Sequence, residues 1–212
     1  MEQNGLQIDS VVVGGVGTNC YIVRKEGSER CVVVDPGDDG DKIGRFIQKN
    51  GLVLEDILLT HGHFDHVLGI AELTACAGGR ICAYEGENEL LLDAGLNVSA
   101  MTGRPASIQA DVLLKDGQVY ETAGMSFRVI HTPGHTKGSC CFYMEKEKVL
   151  FCGDTLFFES IGRSDLPTGN GRELVESLRE KVLTLPPDVQ AYTGHGPATR
   201  IGYERENNPY VM

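Results

Sequence analysis

Strand signals alternate with turns through the first third of the chain. Leu6 to Val13, Asn19 to Val23 and Cys31 to Val34 are rich in β-branched residues and bounded by glycine or charge clusters, which is the pattern of strands. Their short connections predict an antiparallel meander. Asp35-Pro36-Gly37 breaks the run, and from Asp41 to Asn50 the apolar residues Ile43, Phe46 and Ile47 recur at helical spacing. Ile57 to Thr60 reads as a short buried strand. Asp65 to Cys76 reads as a helix whose inner face holds Val67, Leu68, Ile70 and Leu73.

The second half repeats this pattern in outline. Val112 to Leu114, Phe127 to Ile130, Cys140 to Tyr143 and Val149 to Phe151 are strand-like, Glu173 to Leu183 is an amphipathic helix ending before Pro186-Pro187, and Val189 to Tyr192 is a last strand. No Gly/Ser/Pro-rich linker or low-complexity tract divides the chain. Strands lead in both halves with helices interspersed, so the expected architecture is two sheets packed together with helices outside, one domain of two similar halves. Gly14-Gly15-Val16-Gly17 looks like a phosphate loop, but strand rather than helix follows it, and a plain turn is expected there.

Composition narrows the function classes. The 212 residues carry 19 basic and 30 acidic side chains, a net charge of −11, which disfavours nucleic acid and anionic membrane as partners. No apolar run approaches the ~20 residues that span a bilayer, and the first ten residues lack a basic start and an apolar signal core; a cytoplasmic protein is expected. Of seven cysteines, Cys20, Cys31, Cys82, Cys140, Cys141 and Cys152 lie in apolar strand-like runs and read as buried reduced thiols.

The chemistry sits in four short motifs, each beginning where a strand-like run stops. They are Thr60-His61-Gly62-His63-Phe64-Asp65-His66, His131-Thr132-Pro133-Gly134-His135-Thr136, Phe151-Cys152-Gly153-Asp154-Thr155 and Gly194-His195-Gly196. Loops at the carboxyl ends of strands are where such scaffolds place binding groups, and four strands ending together would bring these groups to one rim. His61, His63, Asp65, His66, His135, Asp154 and His195 make seven candidate metal ligands, more than the roughly four that one zinc ion takes. They suit two divalent ions about 3.5–4 Å apart, bridged by a carboxylate and a water-derived oxygen. Zinc leads, although His and Asp serve iron and manganese as well. His131, four residues before His135, reads as a structural or outer-shell histidine. Asp35 reads equally as a turn former and as an outer-shell partner.

Taken together, His61-x-His63-x-Asp65-His66 followed by His135, Asp154 and His195 resembles the metallo-β-lactamase superfamily over nearly the whole chain. The resemblance implies an α/β fold, a four-layer αβ/βα sandwich of two mixed sheets packed face to face with helices outside, formed by residues 1–212 as a single domain. It implies one metal on His61, His63 and His135, the other on Asp65, His66 and His195, and Asp154 as the bridge. Within the superfamily, Thr132-Pro133-Gly134-His135-Thr136, Gly153-Asp154-Thr155-Leu156-Phe157 and Gly162-Arg163 look most like the glyoxalase II group. That implies a hydrolase of thioesters of glutathione or a similar small thiol, with Asp65 orienting the nucleophile. Only 17 residues follow His195, so the likeness is to the short bacterial type without a C-terminal helical segment. Asp165, two positions after Arg163, stands where an aromatic is usual. It is a feature shared with the persulfide dioxygenases, which use one iron, and that oxidoreductase is the alternative. Arg163 and Lys137 are the candidate substrate contacts, ahead of Arg104, Arg200 and Tyr203.

Overall fold

The structure, a computed structural model, describes residues 2–3 and 5–211. Strands β1 (Glu2–Gln3), β2 (Leu6–Val13), β3 (Thr18–Lys25) and β4 (Arg30–Val34) form the expected antiparallel meander. Beyond it the sheet turns parallel through β5 (Val53–Leu59), β6 (Arg80–Tyr84) and β7 (Val112–Leu114). Parallel neighbours need crossovers. Helix α1 (Gly40–Lys49) joins β4 to β5; the short α2 (Phe64–Val67) and α3 (Ile70–Ala77) join β5 to β6; a loop carrying α4 (Asn88–Leu92) leads to β7.

The second sheet is built from β8 (Val119–Thr122), β9 (Met125–His131), β10 (Cys140–Met144) and β11 (Val149–Gly153), antiparallel in series. A small hairpin, β12 (Leu156–Phe157) with β13 (Ser160–Ile161), and helix α5 (Gly171–Ser177) follow before β14 (Gln190–Thr193) pairs parallel to β11. The last elements are β15 (Thr199–Arg200) and α6 (Ile201–Asn207). Both sheets are therefore mixed, in the order β1 to β7 and β15-β14-β11-β10-β9-β8.

Three buried layers make this a four-layer sandwich. Between the sheets lie Ile8, Val23, Val32 and Leu58 from one and Phe127, Val129, Phe142 and Phe151 from the other. Ile43, Ile47, Ile70 and Leu73 close the outer face of the first sheet, and Leu174, Leu178, Val182 and Ile201 that of the second. Cys20, Cys31, Cys82, Cys140, Cys141 and Cys152 are all buried in strands, whereas Cys76 on α3 is exposed. Among the described residues no helix is long and apolar enough to cross a membrane.

The helix expected over Asp65–Cys76 is interrupted. Gly69 donates its backbone N–H to the Pro36 carbonyl at 3.0 Å, and a Cβ there would lie 2.7 Å from Pro36 O and 2.8 Å from Asp38 O. The chain bends at this point because only a glycine lets the helix backbone lie against the loop after β4. Glu173 to Leu183 likewise divides: α5 is capped by the Asn170 side chain, which accepts from the N–H groups of Arg172 and Glu173, and a π-type turn over Leu178–Val182 completes it. Gly14 to Gly17 forms a turn between β2 and β3, as expected.

Candidate metal centre

All four motifs converge where the two sheets meet. His61 and His63 follow β5, His135 follows β9, Asp154 follows β11 and His195 follows β14, while Asp65 and His66 lie on α2. Hydrogen bonds join the sheets at this rim. The Asn19 N–H donates to Gly194 O at 2.7 Å, Tyr21 Oη to Thr193 O at 2.6 Å and the Cys140 N–H to Thr60 O at 2.8 Å. Glycine permits the closeness: a Cβ on Gly194 would lie 2.0 Å from Asp154 Oδ1.

Three overlapping sets of ligand atoms lie within 4.8 Å of one another: His61, His63 and His135; His61, His66 and Asp154; Asp65, His66 and His195. His63, His66, His61 and His135 are each at most 2% exposed. The outer hydrogen bonds settle which nitrogen faces inward. Thr60 Oγ donates its one proton to Asp35 Oδ2 at 2.6 Å, so its lone pair is left to accept from His61 Nδ1, 3.2 Å away. His66 Nδ1 donates to Asp35 Oδ2 at 3.0 Å, His135 Nδ1 to Arg163 O at 2.7 Å and His195 Nδ1 to Gly17 O at 3.3 Å. Each of these four rings thus turns Nε2, with its lone pair, toward the centre. His63 presents Nδ1 instead.

At one end, three nitrogens crowd together: His135 Nε2 lies 2.8 Å from His63 Nδ1 and 3.1 Å from His61 Nε2. At the other, His195 Nε2 is 3.2 Å from Asp65 Oδ2 and 3.5 Å from Asp154 Oδ2. Asp154 reaches both ends, with Oδ2 3.6 Å from His135 Nε2 and Oδ1 3.3 Å from His66 Nε2. That last pair is close, yet neither atom has a partner in hydrogen-bonding geometry, although both are buried. Buried lone pairs that face one another and carboxylate oxygens without donors are the surroundings of a cation. The donor set therefore fits divalent metal.

Electrostatics divides the two ends. Burial, and then the charges of neighbouring imidazoles, hold His61 well below its ordinary range; burial and His135 hold His63 down to about 3. Burial also lowers His135. For His66, burial acts downward but Asp154, Asp65 and Asp35 outweigh it and raise the ring well above its ordinary value. His195 is raised against burial by Asp65 and Asp154. Burial alone would lift the Asp65 and Asp154 carboxyls, but His66 and its neighbours keep both below the usual carboxylate range.

A cavity of about 520 Å³ opens onto the cluster, lined by His63, Asp65, His135, Asp154 and His195 together with Val16, Phe64, Phe157, Arg163 and Leu166. Arg163 stands at its wall, paired through Nε and Nη2 with both oxygens of Asp165 at 2.7 and 2.8 Å. Lys137 is exposed and not among the lining residues; its N–H donates to Thr168 Oγ. Arg104 is bound to Asp38, Tyr203 stacks on Phe158, and Arg200 ends β15 just before α6. His131 stacks on Tyr84 with its Nε2 on the Lys137 carbonyl, away from the ligand atoms. Asp35 proves to be a working part of the site, since one carboxylate fixes both Thr60 and His66. The buried Glu87 beneath the His61 and His135 loops has no counterpart in the sequence reading. It follows the end of β6, as the other motifs follow their strands, but the strand itself was not legible.

The profile of the Metallo-beta-lactamase superfamily matches residues 13–195. "Hydroxyacylglutathione hydrolase GloC" of Haemophilus influenzae is 32% identical, over 97% of this chain and 98% of that protein. Among solved structures, the B3 metallo-β-lactamase BLEG-1 superposes with a TM-score of 0.92 at 36% identity, covering 97% of this chain and all of that one. TTHA1623 in a di-iron-bound form superposes with a TM-score of 0.84 at 35% identity, over 95% and 99% of the two chains.

Proposed function

The chain belongs to the metallo-β-lactamase superfamily, and on that premise we propose that it is a dinuclear metallohydrolase that cleaves a thioester of glutathione or a similar small thiol. The observation that carries this reading is the cluster of seven ligand atoms, divided into two ends that share Asp154, on the floor of a substrate-sized cavity. The likeness to a hydroxyacylglutathione hydrolase, aligned over 98% of that protein, supports the thioester. The likeness to a di-iron protein supports two ions. Zinc is the first assignment for this chain, with iron or manganese served by the same donors.

His61, His63 and His135 would hold one ion, Asp65, His66 and His195 the other, with Asp154 between them. Ions bound there supply a Lewis acid for the carbonyl and lower the pKa of bound water. Asp65 stays ionised, so it orients the attacking water by accepting its hydrogen bond. Thr18 Oγ, donating to Asp65 Oδ2 at 3.3 Å, holds that carboxylate in place. Water adds to the thioester carbonyl carbon and gives up one proton to solvent, the C–S bond breaks, and a carboxylic acid and a thiolate are released, the thiolate needing no strong acid to leave. Val16, Phe157 and Leu166 offer apolar wall to the body of the thiol, and Arg163 a cation for a substrate carboxylate. We assign residues 1–212 to one domain and Lys137 to an outer contact for a substrate end that projects from the cavity.

The Arg163–Asp165 pair favours a second reading, a persulfide dioxygenase using one iron, because Asp165 takes two of the guanidinium's five N–H donors. One experiment separates the readings: metal analysis of protein purified without added metal, beside thiol release from lactoyl-glutathione, oxygen uptake with glutathione persulfide and hydrolysis of a cephalosporin. Two ions per chain and thiol release are expected. A metal-saturated protein inert toward every thioester sinks the leading reading, and oxygen uptake replaces it with the second.

A further inference from the structure

Glu87, in the loop that follows β6, is 1% exposed. No basic side chain is among the groups that act on it, and burial pushes its carboxyl up to about 7. An ionised carboxylate in such a place is costly unless donors surround it. They do. Gly62 donates its N–H to Oε1 at 2.8 Å, Thr136 Oγ lies 2.9 and 3.0 Å from the two oxygens, and the Gly138 N–H donates as well. Ser139 Oγ, 2.6 Å from Thr136 Oγ, leaves the threonine proton free to point at Glu87.

The location of these donors is selective. Gly62 separates His61 from His63, and Thr136 follows His135. Glu87 thus ties together the two loops that supply the three-histidine end. The other end has its own supports, Asp35 on His66, Thr18 on Asp65 and Gly17 on His195. A glutamine would fill the same space, but its amide would set a donor against donors; the site calls for an acceptor alone.

We propose that Glu87 is a positioning residue for one ion only: it holds His61, His63 and His135 in register for a shared cation and leaves the Asp65, His66 and His195 position untouched. The inference rests on the metal reading of the cluster. It is tested by zinc affinity, measured against a chromophoric chelator in two backgrounds. His195→Ala keeps the three-histidine position intact, and His63→Ala keeps the other. Glu87→Gln is expected to weaken zinc by about tenfold or more in the first background and to leave the second unchanged. Thr136→Val should show the same selectivity, and Thr136→Ser should restore affinity. Should Glu87→Gln fail to fold, as judged by thermal unfolding of the metal-free protein, Thr136→Val carries the test with the carboxylate and its two backbone donors in place. Equal weakening in both backgrounds, or none in either, overturns the proposal. Failure of the unsubstituted protein to bind zinc overturns instead the metal reading beneath it.

Discussion

The two ends of the donor cluster share Asp154 and little else. The histidine end is a neutral set of imidazoles, each forced by burial to stay uncharged, and its loops are tied from below by Glu87. The other end gathers Asp65, Asp154 and Asp35 around His66, so its carboxylates draw positive charge inward. A proton is a competitor at this second end and scarcely one at the first. The two ends thus differ in what they would offer a cation: buried lone pairs at one, net negative charge at the other.

Removing the group common to both ends should have the largest effect. Among the described residues, Asp154→Ala takes away the one carboxylate within ion-pair distance of both His135 and His66. Turnover is expected to fall by on the order of 10³-fold, the several kcal/mol that metal polarisation supplies, with bound metal falling in parallel. Full stoichiometry with lost activity would mean that Asp154 serves chemistry rather than binding.

A narrower change should split the ends. Asp35→Asn keeps the size of the side chain but removes the charge that His66 Nδ1 donates to. The ion at the carboxylate end should weaken by about 10–100-fold, while the histidine end, resolved by chelator competition in a His195→Ala background, should hold its ion. Equal loss at both ends would show that Thr60, which links Asp35 to His61, transmits the change across the site.

Acid should reveal the same asymmetry without mutation. His66 and His195 are raised above their ordinary values, so without a metal they keep their protons to higher pH than a free imidazole does, and an incoming ion must displace them. His61, His63 and His135 are lowered and stay free of protons into more acidic solution than a free imidazole does. As pH falls toward the ordinary histidine range, the carboxylate end should lose affinity first, by up to about tenfold per proton displaced for each pH unit, and the histidine end should follow only in more acidic solution. Titrating cobalt-loaded protein and following its visible spectrum would test this; simultaneous loss from both positions would contradict it.

How much of this could be read in the chain varies with the physics of each part. The seven candidate ligands were legible because chemistry demands particular residue types at strand ends, and chance seldom repeats such motifs. The meander was legible too, since β2 to β4 are rich in β-branched residues and bounded by glycine or charge clusters. Arg80–Tyr84 was not: five residues between a glycine pair and a charged turn carry no period, although β6 lies inside the sheet. The break at Gly69 depends on a loop more than thirty positions upstream, which local pattern cannot encode. Glu87 looks like any surface carboxylate until the fold surrounds it, and Asp35 resolves from turn former to site residue only when β5 is laid beside β4.

The partition of the ligands between the two halves has a consequence for the order in which the molecule is made. Each proposed ion draws two ligands from the first sheet's side, His61 with His63 or Asp65 with His66, and one from the second, His135 or His195. No contiguous stretch of chain holds a complete set, so a nascent or half-folded chain offers an incoming ion only a fragment of either position. On the proposed ligand division, loading would wait until the sandwich has closed, and each ion would then act as a rivet through the seam between the sheets.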